Sequence, residues 1–201
     1  LKRLIVASSM SVYGDPETAE RIPETHPIRP ASVYGLTKYD QERLCQLWGR
    51  QHGVEVVALR FFNVYGPGQA LTNPYTGVLA NFANWLLHDQ QPVVYEDGFQ
   101  SRDFVHVADV ANAVLRVVQA SPGLPDTLNV CTGRRVAILH AALLLANALG
   151  KQIAPDINGQ TRPGDIRHCV GDNTRFRTAF PDWQPRAFAE GIVEYGRSLV
   201  T

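Results

Sequence analysis

Short apolar runs bounded by polar clusters alternate along this chain with longer stretches of helical period. Leu4-Ile5-Val6-Ala7 runs into Ser8-Ser9-Met10-Ser11, the pattern of an inner parallel strand that ends in a loop. Residues 15–30 are polar and carry Pro16, Pro23, Pro27 and Pro30, which predicts a surface loop. Ser32 predicts the cap of a helix running to about residue 52, where Gly53 ends it. Residues 54–62, rich in β-formers, are the next strand. Strand, helix and strand in that order imply a right-handed parallel crossover. A Gly/Pro-rich loop over 63–74 follows, then a helix over 77–88, a short strand over 92–95 and the turn Asp97-Gly98. Residues 104–107 read as extended, 110–119 as helix, 128–131 as strand, and 138–149 as a helix stopped by Gly150. The tail from residue 153 is mixed, with a last helix over 187–199. The pattern is α/β, part of a doubly wound parallel sheet followed by a smaller α/β lobe.

Composition narrows the function classes. At 201 residues and 45% hydrophobic, the chain can bury a core. Lys+Arg and Asp+Glu are 19 each, so there is no basic excess for nucleic acid or an anionic membrane. The longest apolar run, residues 141–149, is broken by Asn147 and falls short of the roughly 20 residues of a membrane span. Cys45, Cys131 and Cys169 form no metal-type pair and no disulfide framework, and the His residues are dispersed; free thiols in a cytoplasm and no metal site are expected. The chain opens on what reads as a central strand, without an initiator Met, so a piece with an upstream part is expected.

The sharpest local feature is Tyr34-Gly35-Leu36-Thr37-Lys38. Four residues apart, Tyr34 and Lys38 share one helical face, and an ammonium beside a phenol favours the phenolate, which suits proton transfer. The strand ending in Ser8-Ser9-Met10-Ser11-Val12-Tyr13-Gly14 precedes the pair. The next ends in Arg60-Phe61-Phe62-Asn63-Val64-Tyr65-Gly66-Pro67. Open α/β sheets bind ligands at that edge, so three consecutive elements aim polar groups at one crevice.

These blocks resemble the extended short-chain dehydrogenase/reductases, in the NAD-dependent sugar epimerase/dehydratase group. The likeness continues in Arg102-Asp103-Phe104-Val105-His106-Val107, in Asn129-Val130-Cys131-Thr132-Gly133 and in Arg162-Pro163-Gly164-Asp165-Ile166-Arg167-His168-Cys169. The family's Gly-x-x-Gly-x-x-Gly dinucleotide loop is not in this sequence, and the resemblance places it upstream. It implies residues 1–66 as the remainder of a Rossmann-type NAD-binding domain. Residues 67–201 are then mainly a nucleotide-sugar-binding lobe with some returning Rossmann elements. It further implies NAD as cofactor, Tyr34 as general base and acid, Lys38 on the nicotinamide ribose, and Ser9 on the reacting oxygen. Ser11 is a second hydroxyl nearby, equally suited to capping the turn at the strand end. Phe62 would pack near the nicotinamide, and Asn63 would contact the substrate pyrophosphate. Arg102 and Arg162 would clamp the diphosphate, and Asp165 would take a ribose or base-side hydrogen bond. Val78 and Tyr95 are assigned to the nucleotide pocket or, equally, to the core.

Within the group, dehydratases and decarboxylating members carry carboxyls just before Val-Tyr-Gly. Here the triplet is Ser9-Met10-Ser11, so 4-epimerisation of a nucleotide-diphosphate sugar is expected, with a dehydratase, a reductase or a non-catalytic binding chain as alternatives. The position that gates the sugar pocket in galactose epimerases is Cys169, which suggests room for N-acetylated or otherwise modified hexoses. The stretches around residues 66–77 and 164–169 look closest to dTDP-L-rhamnose 4-epimerase-like members, with UDP-glucose 4-epimerases as the alternative. Trp48 and Trp85 read as packing residues. Leu44, Leu47 and Trp48 could face a partner subunit, because family members dimerise through this helix.

Overall fold

In the computed structural model, which describes residues 1–16, 20–72, 77–161 and 166–200, the first crossover takes the form its pattern predicts. Strand β1 (Arg3–Ser9) and strand β2 (Glu55–Phe61) pair in parallel from Arg3↔Glu55 to Ser9↔Phe61, joined by helix α1 (Val33–His52). Ser32 Oγ accepts the Gly35 N–H at 3.0 Å, and Gly53 closes the helix with φ 65°.

Glycine sets how closely α1 approaches the sheet. A Cβ on Gly35 would lie 2.5 Å from the Ser11 carbonyl oxygen, and one on Gly49 would lie 2.4 Å from Val56 Cγ2. The helix therefore rests on the strand end at one point and on β2 at the other. Gly35→Ala should push the Tyr34 end of α1 away from Ser11. We expect a loss of about 2 kcal/mol in urea denaturation, within the range for overpacking. Unchanged stability would show that the contact yields freely.

The order of elements then leaves the sheet and returns. Strand β3 (Asn63–Tyr65) pairs in parallel with a later strand, β6 (Phe104–His106), inside the segment expected to be a loop. Three residues carry no readable period, and their partner lies 41 positions away in the register Asn63↔Phe104. Between them come α2 (Val78–Leu87), β4 (Val93–Val94) and β5 (Ser101–Arg102). Helix α3 (Val107–Gln119) begins three residues before its expected start, because His106 Nδ1 accepts the Ala108 N–H and caps it. Strand β7 (Thr127–Val130) re-enters the first sheet beside β2, giving the parallel order β1-β2-β7.

The remainder is β8 (Val136–Ala137), α4 (Ile138–Ala148), β9 (Asp156–Ile157), β10 (His168–Cys169), α5 (Thr174–Ala179) and α6 (Phe188–Ser198). β5 lies between β8 and β10, and β4 pairs with β9. On one face of the first sheet Val57, Leu59, Leu128 and Val130 pack with Val110, Ala113 and Val117 of α3; on the other Val6, Val56 and Ala58 pack with Leu4 and Cys45. Each fully buried Val or Leu contributes about 1.5–3 kcal/mol, so these two faces fix the sheet. A separate core joins α2, α4 and α6 through Leu79, Phe82, Leu86, Leu145, Ile192 and Tyr195.

Candidate active site

At the carboxyl end of β1 the chain turns into a 3₁₀ segment, Met10–Tyr13, capped by Ser9, whose Oγ accepts the Ser11 N–H at 3.2 Å. The capping role open to Ser11 thus falls to Ser9. Ser11 Oγ is buried and has no hydrogen-bond partner among the described residues, an unusual state for a hydroxyl. Gly35 touches the Ser11 carbonyl, which brings the first turn of α1 against this segment.

On that turn Tyr34 is 56% exposed, and the Lys38 ammonium sits 5.8 Å from the centre of its ring. Lys38 Nζ donates to the Ala7 carbonyl at 2.9 Å and to Gln41 Oε1 at 3.4 Å. An ammonium has three donors, so one remains for a ligand hydroxyl. Together with the unpartnered Ser11 hydroxyl, this donor set fits a ribose hydroxyl and a second ligand oxygen.

Behind the strand end lies a buried polar network. Arg60 grips Glu42 with both ends of its fork, Nε to Oε1 at 2.9 Å and Nη2 to Oε2 at 2.8 Å. Ser8 Oγ donates to the same Glu42 Oε1. Arg60 Nη1 donates to Tyr13 OH at 3.0 Å, and Tyr13 OH donates to Asn129 Oδ1 at 2.7 Å. Burial pulls the Arg60 pKa down, but the Glu42 and Tyr13 contacts more than offset it and the guanidinium stays charged. Burial pushes the Tyr13 phenol up to about 12, leaving it a neutral hydrogen-bonding group.

A second region gathers four of the residues assigned to substrate. Asn63, Val78, Tyr95 and Arg102 line one cleft of about 240 Å³ with Asn81, Phe82, Trp85, Val93, Gln100 and Ile138. Asn63 Oδ1 and Gln100 Oε1 are buried acceptors without hydrogen-bond partners among the described residues. Trp85, read from sequence as packing, lines this cleft while also contacting Phe82 at 6.2 Å between rings. Val78, Asn81, Phe82 and Trp85 stand at i, i+3, i+4 and i+7 on α2, a spacing that could have marked them as one face.

Phe62 and Cys169 lie elsewhere. Both are buried in a cluster with Val12, Tyr13, Ile22 and Cys131, with Met10 packed against it. Cys169 Sγ lies 3.1 Å from Met10 Sδ, beside the serine-bearing turn, and burial raises its thiol pKa to about 12. Arg162 and Asp165 lie outside the described residues. Asp103, given no role by the sequence, is fully buried and accepts from Thr132 N at 2.8 Å, Thr132 Oγ1 at 2.6 Å, Gly133 N at 2.8 Å and Gly171 N at 3.3 Å. Burial pushes its carboxyl up against the pull of those bonds.

A strand-end serine turn, a Tyr-x-x-x-Lys helix against it, a polar cleft and a parallel α/β sheet are the features of a short-chain dehydrogenase/reductase-type fold. The model of the NAD dependent epimerase/dehydratase family matches residues 1–131, and the chain belongs to this family, whose cofactor is NAD. It is 37% identical over 180 residues to dTDP-L-rhamnose 4-epimerase of Burkholderia thailandensis, covering 89% of this chain and 48% of that protein. It is 35% identical over 192 residues to a putative UDP-glucose 4-epimerase of Methanocaldococcus jannaschii, covering 95% of this chain and 60% of that one. The chain thus spans about half the length of the curated relatives it matches. Among solved structures, UDP-glucose 4-epimerase of Thermotoga maritima with UDP-glucose is similar, with a TM-score of 0.90 and 29% identity over 100% of this chain and 64% of that one.

Proposed function

We propose that this chain carries the proton-transfer and substrate-binding part of an NAD-dependent nucleotide-sugar 4-epimerase. The observation that carries the reading is the make-up of the turn beside Tyr34 and Lys38: serine hydroxyls and a methionine, with no carboxylate to expel water. The Glu42 carboxylate behind it is held by Arg60 and Ser8.

Tyr34 takes the proton of the C4 hydroxyl as the C4–H bond breaks, and returns it once the 4-keto sugar has presented its other face. Bound NAD supplies the hydride acceptor and donor at C4. Lys38 directs its free N–H toward the ribose, and Ser9 and Ser11 hydrogen-bond the reacting oxygen. Phe62 backs the turn from the core. Asn63, Arg102 and Arg162 hold the diphosphate and Asp165 takes a ribose or base-side hydrogen bond, while Val78, Tyr95 and Trp85 take the base. Cys169, small and packed on Met10, leaves room for a modified hexose, and a dTDP-hexose is favoured over a UDP-hexose. The division at residue 66 separates the proton-transfer elements from the lobe that binds nucleotide. We further propose a cytoplasmic homodimer through α1, where Leu36, Leu44, Leu47 and Trp48 are 42–67% exposed.

Calorimetric titration with dTDP, UDP and NAD separately tests the substrate half. One nucleoside diphosphate should bind in the micromolar range, and Arg102→Ala should weaken it at least about tenfold, the value of one charge-assisted contact. An affinity unchanged by Arg102→Ala would remove that residue from the site. The reaction itself is read by following interconversion of dTDP- and UDP-hexose C4 epimers by NMR in the protein that carries this chain. Release of a dehydrated sugar instead would overturn the epimerase reading.

A further inference from the structure

We propose that Glu42 is a positioning residue, clamped between Arg60 and Ser8 so that the face of α1 bearing Tyr34 and Lys38 keeps its register against the Ser9–Ser11 turn. This rests on the reading of Tyr34 and Lys38 as the proton-transfer pair. Tyr34, Lys38 and Glu42 follow at intervals of four, so they stand on one face of the helix. Glu42 is 1% exposed and Arg60 5%, which makes this a fully desolvated ion pair.

Such a pair adds little net stability, because the cost of dehydrating both charges roughly cancels their attraction, and apolar side chains of like volume would serve as well. Direction is what the ion pair adds. Two parallel N–H···O contacts at 2.9 and 2.8 Å fix how far α1 is rotated and how far it slides along β2. The Ser8 hydroxyl adds a third constraint from β1, one residue before Ser9. Lys38 holds the carbonyl of Ala7, one residue earlier still. Two consecutive residues, Ala7 and Ser8, thereby tie the helix face to the strand end, and Ser9, the next residue, caps the turn. Arg60 carries the same constraint through Tyr13 to Asn129 of β7.

The test uses two variants in the protein that carries this chain. The paired change Glu42→Leu with Arg60→Met should keep the melting temperature within about 5 °C, as apolar replacements of buried pairs do. It should lower kcat at least about tenfold while KM moves less than about threefold, because a helix misplaced by a fraction of an ångström spoils the reacting geometry. Ser8→Ala removes one hydroxyl with almost no change of volume; it should lower kcat several-fold in a protein that still folds, the lost buried contact lowering the melting temperature by several degrees, and Ser8→Thr should restore both. A Ser8→Ala protein with wild-type kcat overturns the proposal, as does a folded paired variant with wild-type kcat. Tyr34→Phe, measured alongside, separates the two failures. If it too turns over normally, the proton-transfer reading has failed; if it is inactive while Ser8→Ala is silent, only the positioning role has.

Discussion

Tyr34→Phe is expected to lower kcat by at least about a hundredfold, the usual contribution of a placed acid–base group, with little change in KM or melting temperature. The expectation follows from how little else the phenol does. Tyr34 is 56% exposed, so its loss opens no cavity. The ring that faces Lys38 at 5.8 Å is retained, and the helix cap is formed by Ser32 and Gly35. Only the phenol oxygen, proposed to take the C4 proton, disappears. Steady-state kinetics on dTDP- and UDP-hexoses would read the effect, and near-normal turnover in a folded variant would end the mechanism proposed above.

The second large effect is on stability and lies at Asp103. Asp103→Ala strips the acceptor from two backbone N–H groups of residues 132 and 133, from the Thr132 hydroxyl and from the Gly171 N–H; the Gly133 and Gly171 bonds are buried and the two from Thr132 part-buried. An unsatisfied buried donor costs about 1–3 kcal/mol, and these losses overlap, so a total of about 4 kcal/mol is expected from urea midpoints. Asp103→Asn should lose about half as much, because its amide nitrogen must face a donor. A cost below about 1 kcal/mol for Asp103→Ala would mean that these loops hold themselves. Arg102, the adjacent residue, lines the cleft, so nucleotide affinity should fall with stability in both variants.

Local signals made the first crossover legible. Ser32, Gly53 and the run of β-formers from residue 54 each state their role within a few residues, and α1 and β2 fall where those signals put them. What escaped was non-local. β3, β5, β8, β9 and β10 are two or three residues long, too short for a period, and exist because a distant segment pairs with them. α5 has six residues and no side-chain cap, so nothing in the tail announced it. The site divides the same way. Tyr34, Lys38, Ser9, Asn63 and Arg102 sit in contiguous motifs, whereas the Glu42–Arg60 pair joins residues 18 positions apart and Asp103 reaches donors 29 and 68 positions away. Gln100 and Trp85 look ordinary in sequence and come to line the candidate cleft only when α2 and the segment leading into β5 meet.

The order β1-β2-β7 also has a bearing on how the chain folds as it is made. Residues 58–61 of β2 wait for Thr127–Val130, so nearly seventy residues must be synthesised before that side of the strand is covered. At about 5–20 residues per second, the interval is roughly 3–14 s. During it, the nascent chain presents an apolar parallel-strand edge to its surroundings, the sort of surface that pairs with other chains or is held by chaperones. Synthesis rate between residues 62 and 127, rather than the strength of the finished sheet, would then govern how much of the product reaches the native state.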